Sequence, residues 1–459
     1  MPREGGDAMR YARFVIFVGL TLACAAAVIH AGAAPTGADR ANIFGYYCVY
    51  CQYQGRNPAK PFTPKDIATS GAADQLTAIY YAFEHVDNNR CQLFFPAVDV
   101  DEPYAADASV DGTADPDGPG HLRGVFHQLQ ELKQKYSHLK IIMSLGGWGL
   151  SGGFSSAAEP ENVHAFVSSC VDMFIKGNFA PGVSAPGIFD GIDIDWEYPV
   201  SGGTAPGRPE DTHDLTLMAQ EFRRQLDTVR PGLWLTAALP GTEHDFNKFE
   251  LKALSQSMND LAVMAYDMAS ASDPTTSFAS ALFRDPTNPE GGNNYGDYAV
   301  QAFLRAGVPE QKIVLGVPFG GARHWSGVSD ANHGLYQPVA PKPGASTASA
   351  ASAATPAGAS TAASSAASAN AAFGRGGVDS LPPEADRQYW PAVGSCSAWY
   401  DNNFWSYDCA QAMSAKAAYV RSHHLGGVMF WEMSHDPGGA LLRALSGSAP
   451  TPDSLPFNR

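Results

Sequence analysis

The sequence predicts one (β/α)8 barrel, and three observations carry that expectation. Eight short apolar runs recur at the spacing of βα units: Asn42 to Tyr47, Leu76 to Phe83, Leu139 to Leu145, Ile188 to Tyr198, Leu233 to Leu239, Leu261 to Met268, Lys312 to Phe319 and Leu425 to Met433. Amphipathic stretches lie between several of them, among them His121 to Tyr136, Val163 to Lys176 and Asp214 to Val229. No Gly-rich phosphate loop follows the first run, as a doubly wound nucleotide-binding sheet would require. The eight runs are then buried parallel strands with helices outside, and the barrel is expected over residues 40–447.

The chain has 459 residues, of which 45 % are hydrophobic and 11 % aromatic, enough for a large core. Thirty Lys and Arg stand against 46 Asp and Glu, a net charge of −16. That balance argues against nucleic acid and anionic membrane as partners, since both need a basic face. A neutral or cationic substrate is favoured, and a monomer is expected.

Before the first strand, Arg3, Arg10 and Arg13 precede an apolar run from Phe14 to Ile29, and Ala31-Gly32-Ala33 offers a small-residue cleavage site. The run is shorter than the about 20 residues that span a bilayer. Residues 1–33 therefore read as a secretory signal cleaved near Ala33, giving a secreted mature form without a membrane segment. Its removal takes Cys24 and leaves Cys48, Cys51, Cys91, Cys170, Cys396 and Cys409. An even number in an exported chain permits disulfides, and Cys396 with Cys409 is the expected pair. Cys48 and Cys51 have redox spacing but sit in a strand-like aromatic run. None of the 13 His stands at ligand spacing beside a cysteine, so neither a metal nor a cofactor is expected.

Between the seventh and eighth strands, residues 343–372 are nearly all Ala, Ser, Thr, Gly and Pro. The tract has too little apolar bulk to pack and is expected to be a disordered excursion within the barrel.

The chemistry concentrates on the fourth run, Asp190-Gly-Ile-Asp193-Ile-Asp195-Trp-Glu197. Side chains alternate along a strand, so Asp193, Asp195 and Glu197 share the inward face and Ile192, Ile194 and Trp196 the outward one. Same-face neighbours lie about 6.6 Å apart, too close for three buried carboxylates to stay ionised. Glu197, nearest the C-terminal mouth where barrel enzymes place catalysis, is the expected protonated acid, with Asp193 and Asp195 sharing a proton beneath it. Asp190 has the opposite parity and is expected to be structural.

Asp190-x-x-Asp193-x-Asp195-x-Glu197 resembles the DxxDxDxE signature of the family 18 glycoside hydrolases, the chitinases and their relatives. Ser144-Leu145-Gly146-Gly147-Trp148 is similar to that family's SxGG signature. Gly45-Tyr46-Tyr47, Tyr81-Ala82-Phe83, Met264-Ala265-Tyr266-Asp267 and Gly426 to Glu432 match it in order. The resemblance covers residues 42 to 447. It implies that Glu197 protonates the glycosidic oxygen and that the substrate's own 2-acetamido oxygen forms an oxazolinium ion, with no carboxylate nucleophile. Asp195 would orient the acetamido group, Asp193 would modulate Asp195, and Tyr266 would bond the acetamido oxygen. Tyr46 and Ser144 would be inner partners of Asp193. Trp431 would floor the cleft, with Trp148, Phe83 and Tyr198 along it and Met264 and Asp267 as further contacts. The implied partner is chitin or its N-acetylglucosamine oligosaccharides.

The seventh strand departs from that pattern. It reads Gly316-Val-Pro-Phe-Gly-Gly-Ala-Arg323, where relatives carry Phe-Tyr-Gly-Arg, so a Tyr is missing and one residue is added before Arg323. Arg323 remains a candidate substrate contact. The Ala/Ser tract occupies much of the interval where relatives insert a small subdomain. A reduced insertion, an open groove and endo-type cutting are expected. Two rival functions share this fold. A chitin-binding lectin would lack the acid at 197, and an endo-N-acetylglucosaminidase differs only in its products.

Overall fold

The computed structural model describes residues 41–51, 61–118, 120–339 and 381–447. The expected signal at 1–33 and the Ala/Ser-rich tract at 343–372 lie outside the described residues. Eight parallel strands follow the expected runs: β1 (Asn42–Cys48), β2 (Ala78–Asp87), β3 (Lys140–Gly146), β4 (Gly191–Asp195), β5 (Trp234–Pro240), β6 (Asp260–Met264), β7 (Ile313–Pro318) and, last in the chain, β12 (Gly427–Trp431). Their order runs β1-β12-β7-β6-β5-β4-β3-β2, and pairing of β2 with β1 closes the barrel. Helices α1 (Pro64–Thr69), α2 (Gly124–Lys135), α3 (Val163–Cys170), α4 (Asp211–Val229), α5 (Leu251–Ser257), α6 (Gly296–Arg305), α7 (Ala410–Ser422) and α8 (Ala440–Ser446) lie between and after them. Among the described residues no helix is long and apolar enough to cross a membrane.

Strand alternation divides the core in two. Ile43, Tyr47, Ile79, Tyr81, Ile192, Ile194, Val428 and Phe430 pack outward against the helices. Phe44, Tyr46, Tyr80, Ile142, Ala262, Val314 and Met429 fill the barrel itself. Period-two apolarity on both faces is what a strand buried on each side demands.

Several boundaries moved. β4 stops at Asp195, short of the expected Tyr198, because Gly147 turns away there and takes the Asp195 carbonyl with its N–H at 2.7 Å. Glu197 is therefore on the loop beyond the strand. β2 runs on to Asp87 because a short strand, Arg90–Gln92, pairs back against it. Asp190 is structural, as expected: its carboxylate accepts from Lys133 Nζ, Arg230 and the Ile141 N–H, tying α2, β3 and the C-terminal end of α4.

Between β7 and β12 stands an antiparallel sheet of β8 (Arg323–Ser326), β9 (Asp386–Trp390), β10 (Ser395–Tyr400) and β11 (Asn403–Tyr407), in the order β8-β11-β10-β9. Trp325, Phe404 and Trp399 on one face pack with Phe278 of the loop after β6. Cys396 and Cys409 are joined as expected. Cys48 is joined to Cys51, and Cys91 to Cys170.

One buried pair beside the site has a measurable consequence. Glu84, next to Phe83 at the end of β2, lies against Asp99, and both are fully buried. Glu84 takes the Phe94 N–H, and Asp99 takes the Tyr81 hydroxyl and the Phe95 N–H. Burial pushes both carboxyls above their usual range. The folded state therefore holds protons that the unfolded chain gives up near pH 4, so stability is full below that value and declines as pH rises toward the folded values. Glu84→Gln, which keeps the shape and removes one titration, should flatten the fall in Tm between pH 5 and 8. An unchanged slope would mean that the pair is not protonated as described.

Candidate active site

β4 carries Asp193 at the level where its register neighbours are Ser144 on β3 and Thr236 on β5. All three point inward, so their contact follows from the register. Asp193 Oδ2 accepts from the Tyr46 hydroxyl at 2.8 Å and Ser144 Oγ at 2.7 Å, and Oδ1 accepts from Thr236 Oγ1 at 2.7 Å. Burial raises the Asp193 carboxyl, and these three donors hold it down. Thr236 is absent from the sequence reading, although a lone hydroxyl at an inward position of an apolar strand was a usable signal.

Asp195 lies one level up. Its Oδ1 is buried without a hydrogen-bond partner among the described residues. Burial, then Glu197, then Asp193 drive its carboxyl well above the ordinary range. Glu197 follows, partly exposed on the cleft wall yet surrounded by protein. Burial raises it to about 8, Asp267 adds to the rise, and a hydrogen bond from Tyr198 opposes it. Its backbone N–H donates to Ser151 Oγ at 3.0 Å, and that hydroxyl donates to the Gly147 carbonyl at 2.8 Å. Ser151, also missed from sequence, thus fixes the loop that carries the acid.

The paired glycines of β3's end have a steric cause. A Cβ on Gly146 would stand 2.3 Å from the Asp195 carbonyl oxygen, and one on Gly147 would stand 2.5 Å from the Phe83 ring. Both residues also adopt positive φ. Side chains at either would displace the acids or the cleft wall.

These groups open into a cleft of about 580 Å³ at the C-terminal mouth of the barrel. Ten of the sequence candidates line it: Phe83, Trp148, Asp195, Glu197, Tyr198, Met264, Tyr266, Asp267, Arg323 and Trp431. Asp193, Tyr46 and Ser144 lie beneath. Trp431 stacks on Phe83 with ring centroids 5.5 Å apart, and Tyr46 lies 5.5 Å below it. Trp148 meets Tyr198 edge-on. The Tyr266 hydroxyl points at Met429 Sδ, and burial followed by the charge of Asp195 keeps it well above a free phenol. Arg323, on β8 of the inserted sheet, forms an ion pair with Asp267. His244, Asp245 and His435 line the cleft without having been expected there.

Fold and site together define a glycoside-hydrolase barrel. Residues 42–436 match the model of the glycosyl hydrolases family 18, and the chain belongs to that family. It is 32 % identical over 402 residues to Chitinase C of Streptomyces lividans, covering 85 % of this chain and 57 % of that relative. It is 26 % identical to Endochitinase 1 of Metarhizium robertsii, covering 87 % and 83 %. The catalytic domain of psychrophilic chitinase B from Arthrobacter TAD20 superposes with a TM-score of 0.74 at 30 % identity, covering 90 % of this chain and 98 % of that one. The chain spans between 50 % and 59 % of the length of the Streptomyces and Niallia relatives that it matches.

Proposed function

We propose that the protein is a secreted, monomeric chitinase. It hydrolyses β-1,4-linked N-acetylglucosamine polymers with retention, and the substrate's own acetamido group acts as nucleophile. The observation that carries this reading is Asp195 Oδ1, a buried acceptor with no donor among the described residues, which shares an aromatic cleft with Glu197, an acid raised to about 8. A buried carboxylate oxygen needs a hydrogen-bond donor, and the N–H of a 2-acetamido group is one that the substrate brings.

In the first step the Glu197 proton passes to the glycosidic oxygen as that oxygen's bond to the anomeric carbon breaks. The acetamido carbonyl oxygen, turned inward by Asp195 and held by the Tyr266 hydroxyl, bonds to the same carbon and forms an oxazolinium ion. In the second step a water attacks that carbon from the vacated side and gives its proton to the Glu197 carboxylate, so the configuration is retained. Asp193, held by three hydroxyls, sets the charge below Asp195. Trp431 stacks under the reacting ring, while Trp148, Phe83 and Tyr198 hold neighbouring rings. The named activity of the Metarhizium relative favours endo cutting, and three disulfides suit an exported chain.

The test compares N-acetylglucosamine oligomers with fully deacetylated ones, using anomer-resolved product analysis at early times. Cleavage of the acetylated series alone, with the β-anomer formed first, is expected. Cleavage of deacetylated chains at a similar rate, or the α-anomer first, would remove the acetamido group from the mechanism. Binding without cleavage would move the protein to the lectins, and cleavage of N-glycans in preference to chitin to the endo-N-acetylglucosaminidases.

A further inference from the structure

His435 stands in the short helical turn Met433–His435 after β12, where it lines the cleft beside Trp431 with only 4 % of its side chain exposed. Its two ring nitrogens face two acceptors. Nδ1 lies 2.5 Å from the Phe319 carbonyl oxygen at the end of β7, and Nε2 lies 3.0 Å from Glu432 Oε1. A carbonyl can only accept, so Nδ1 carries a proton; with Glu432 ionised, its carboxylate likewise only accepts, Nε2 carries a second proton, and the ring is an imidazolium. The Glu432 carboxylate that balances it is fully buried and is held by the backbone N–H and hydroxyl of Ser434.

Phe319 is clasped on both sides: its N–H donates to the Trp431 carbonyl at 2.6 Å while its own carbonyl takes His435. The Phe319 ring stacks on Phe430 at 3.8 Å. Beyond it, Gly320 has φ +64°, and a Cβ there would stand 2.8 Å from His435 Cβ. The chain then runs through Gly321 to Arg323, which holds Asp267, the neighbour of Tyr266.

We infer that His435, as an imidazolium paired with Glu432, is a positioning residue that fixes the ends of β7 and β12. It thereby sets the Trp431 floor and the segment leading to Arg323. The other titratable and charged groups around it are already engaged. Asp436 gives its carboxylate to the Ala440 and Leu442 N–H groups, Arg323 and Asp267 pair with each other, and the Tyr46 hydroxyl of β1 serves Asp193. The end of β7 carries no titratable side chain.

The kinetic role assigned here rests on the hydrolase reading above, whereas the charge state does not, and the experiment separates them. In the full chain labelled with ¹⁵N-His, the signals lost in His435→Gln identify residue 435. At pH 7 both of its nitrogens should show protonated shifts, and Glu432→Gln should return one to the unprotonated range. An unprotonated nitrogen in the wild type overturns the proposal. On N-acetylglucosamine oligomers at 20 °C, His435→Gln should lower kcat/KM by at least about tenfold while the chain remains folded. Unchanged kcat/KM with a lowered Tm would reduce His435 to a structural role. If His435→Gln does not fold, Glu432→Gln gives the same reading, because it removes the counter-charge and leaves the ring in place. A wild type that cleaves no oligomer would defeat the hydrolase reading and leave the nitrogen shifts to decide the charge state.

Discussion

Replacing Glu197 with Gln is expected to lower kcat on N-acetylglucosamine oligomers by about 10²–10⁴-fold with little change in KM. Gln keeps the volume and the Tyr198 contact but has no proton to give the leaving oxygen. The wild-type pH profile should carry the same signature. Glu197 acts while protonated, and burial raises it to about 8, so kcat/KM should hold through neutrality and fall as pH rises past that value. The sign follows from the role: a base at this position would gain activity over the same window. Oligomer binding by the variant, measured by calorimetry, separates lost chemistry from lost folding. Activity within tenfold of wild type would show that the acid is another residue.

Lys416→Met is expected to cause the largest loss of stability. Lys416 on α7 forms a buried ion pair with Asp408, and both side chains are almost wholly out of water. Asp408 directly follows β11. Its Oδ1 also accepts from Ser280 Oγ and Ser395 Oγ, while Lys416 Nζ donates to the Ser280 carbonyl at 2.7 Å. The pair thus joins the inserted sheet, the loop after β6 and the barrel's outer helix layer. Removing the cation leaves an uncompensated buried carboxylate, a loss of about 3–5 kcal/mol. For a chain of this size that is a fall in Tm of about 3–5 °C. Asp408→Asn combined with Lys416→Met should recover part of the loss, because the neutral amide no longer needs the cation. A single variant within 2 °C of wild type on a calorimetric scan would show that the charge is already relieved by water.

Much of the site was readable in the chain because its logic is local. The period of two on the fourth run put Asp193, Asp195 and Glu197 inward without any knowledge of neighbours, while the steric cause of the paired glycines 146 and 147 came only from the structure. The partners of those residues were harder to see. Thr236 completes Asp193 only through the register of β4 with β5, a relation between segments about forty residues apart in sequence. Ser151 reaches the Glu197 backbone through a loop whose course depends on where β3 ends. His435 meets the Phe319 carbonyl, 116 residues away in sequence.

By itself, the sequence determined the barrel, the inward row of acids and the aromatic positions, all consequences of periodicity or motif, while the three disulfide pairings came from the fold. Tertiary structure alone decided that β8 and β11 pair across the long interval between them, that Arg323 meets Asp267, and that Asp193 is held by three hydroxyls. It also decided how far the carboxyls of Asp195 and Glu197 rise. The reason is physical. Burial and hydrogen-bond partners set a carboxyl's proton affinity, and both depend on which distant segments the closed barrel brings together.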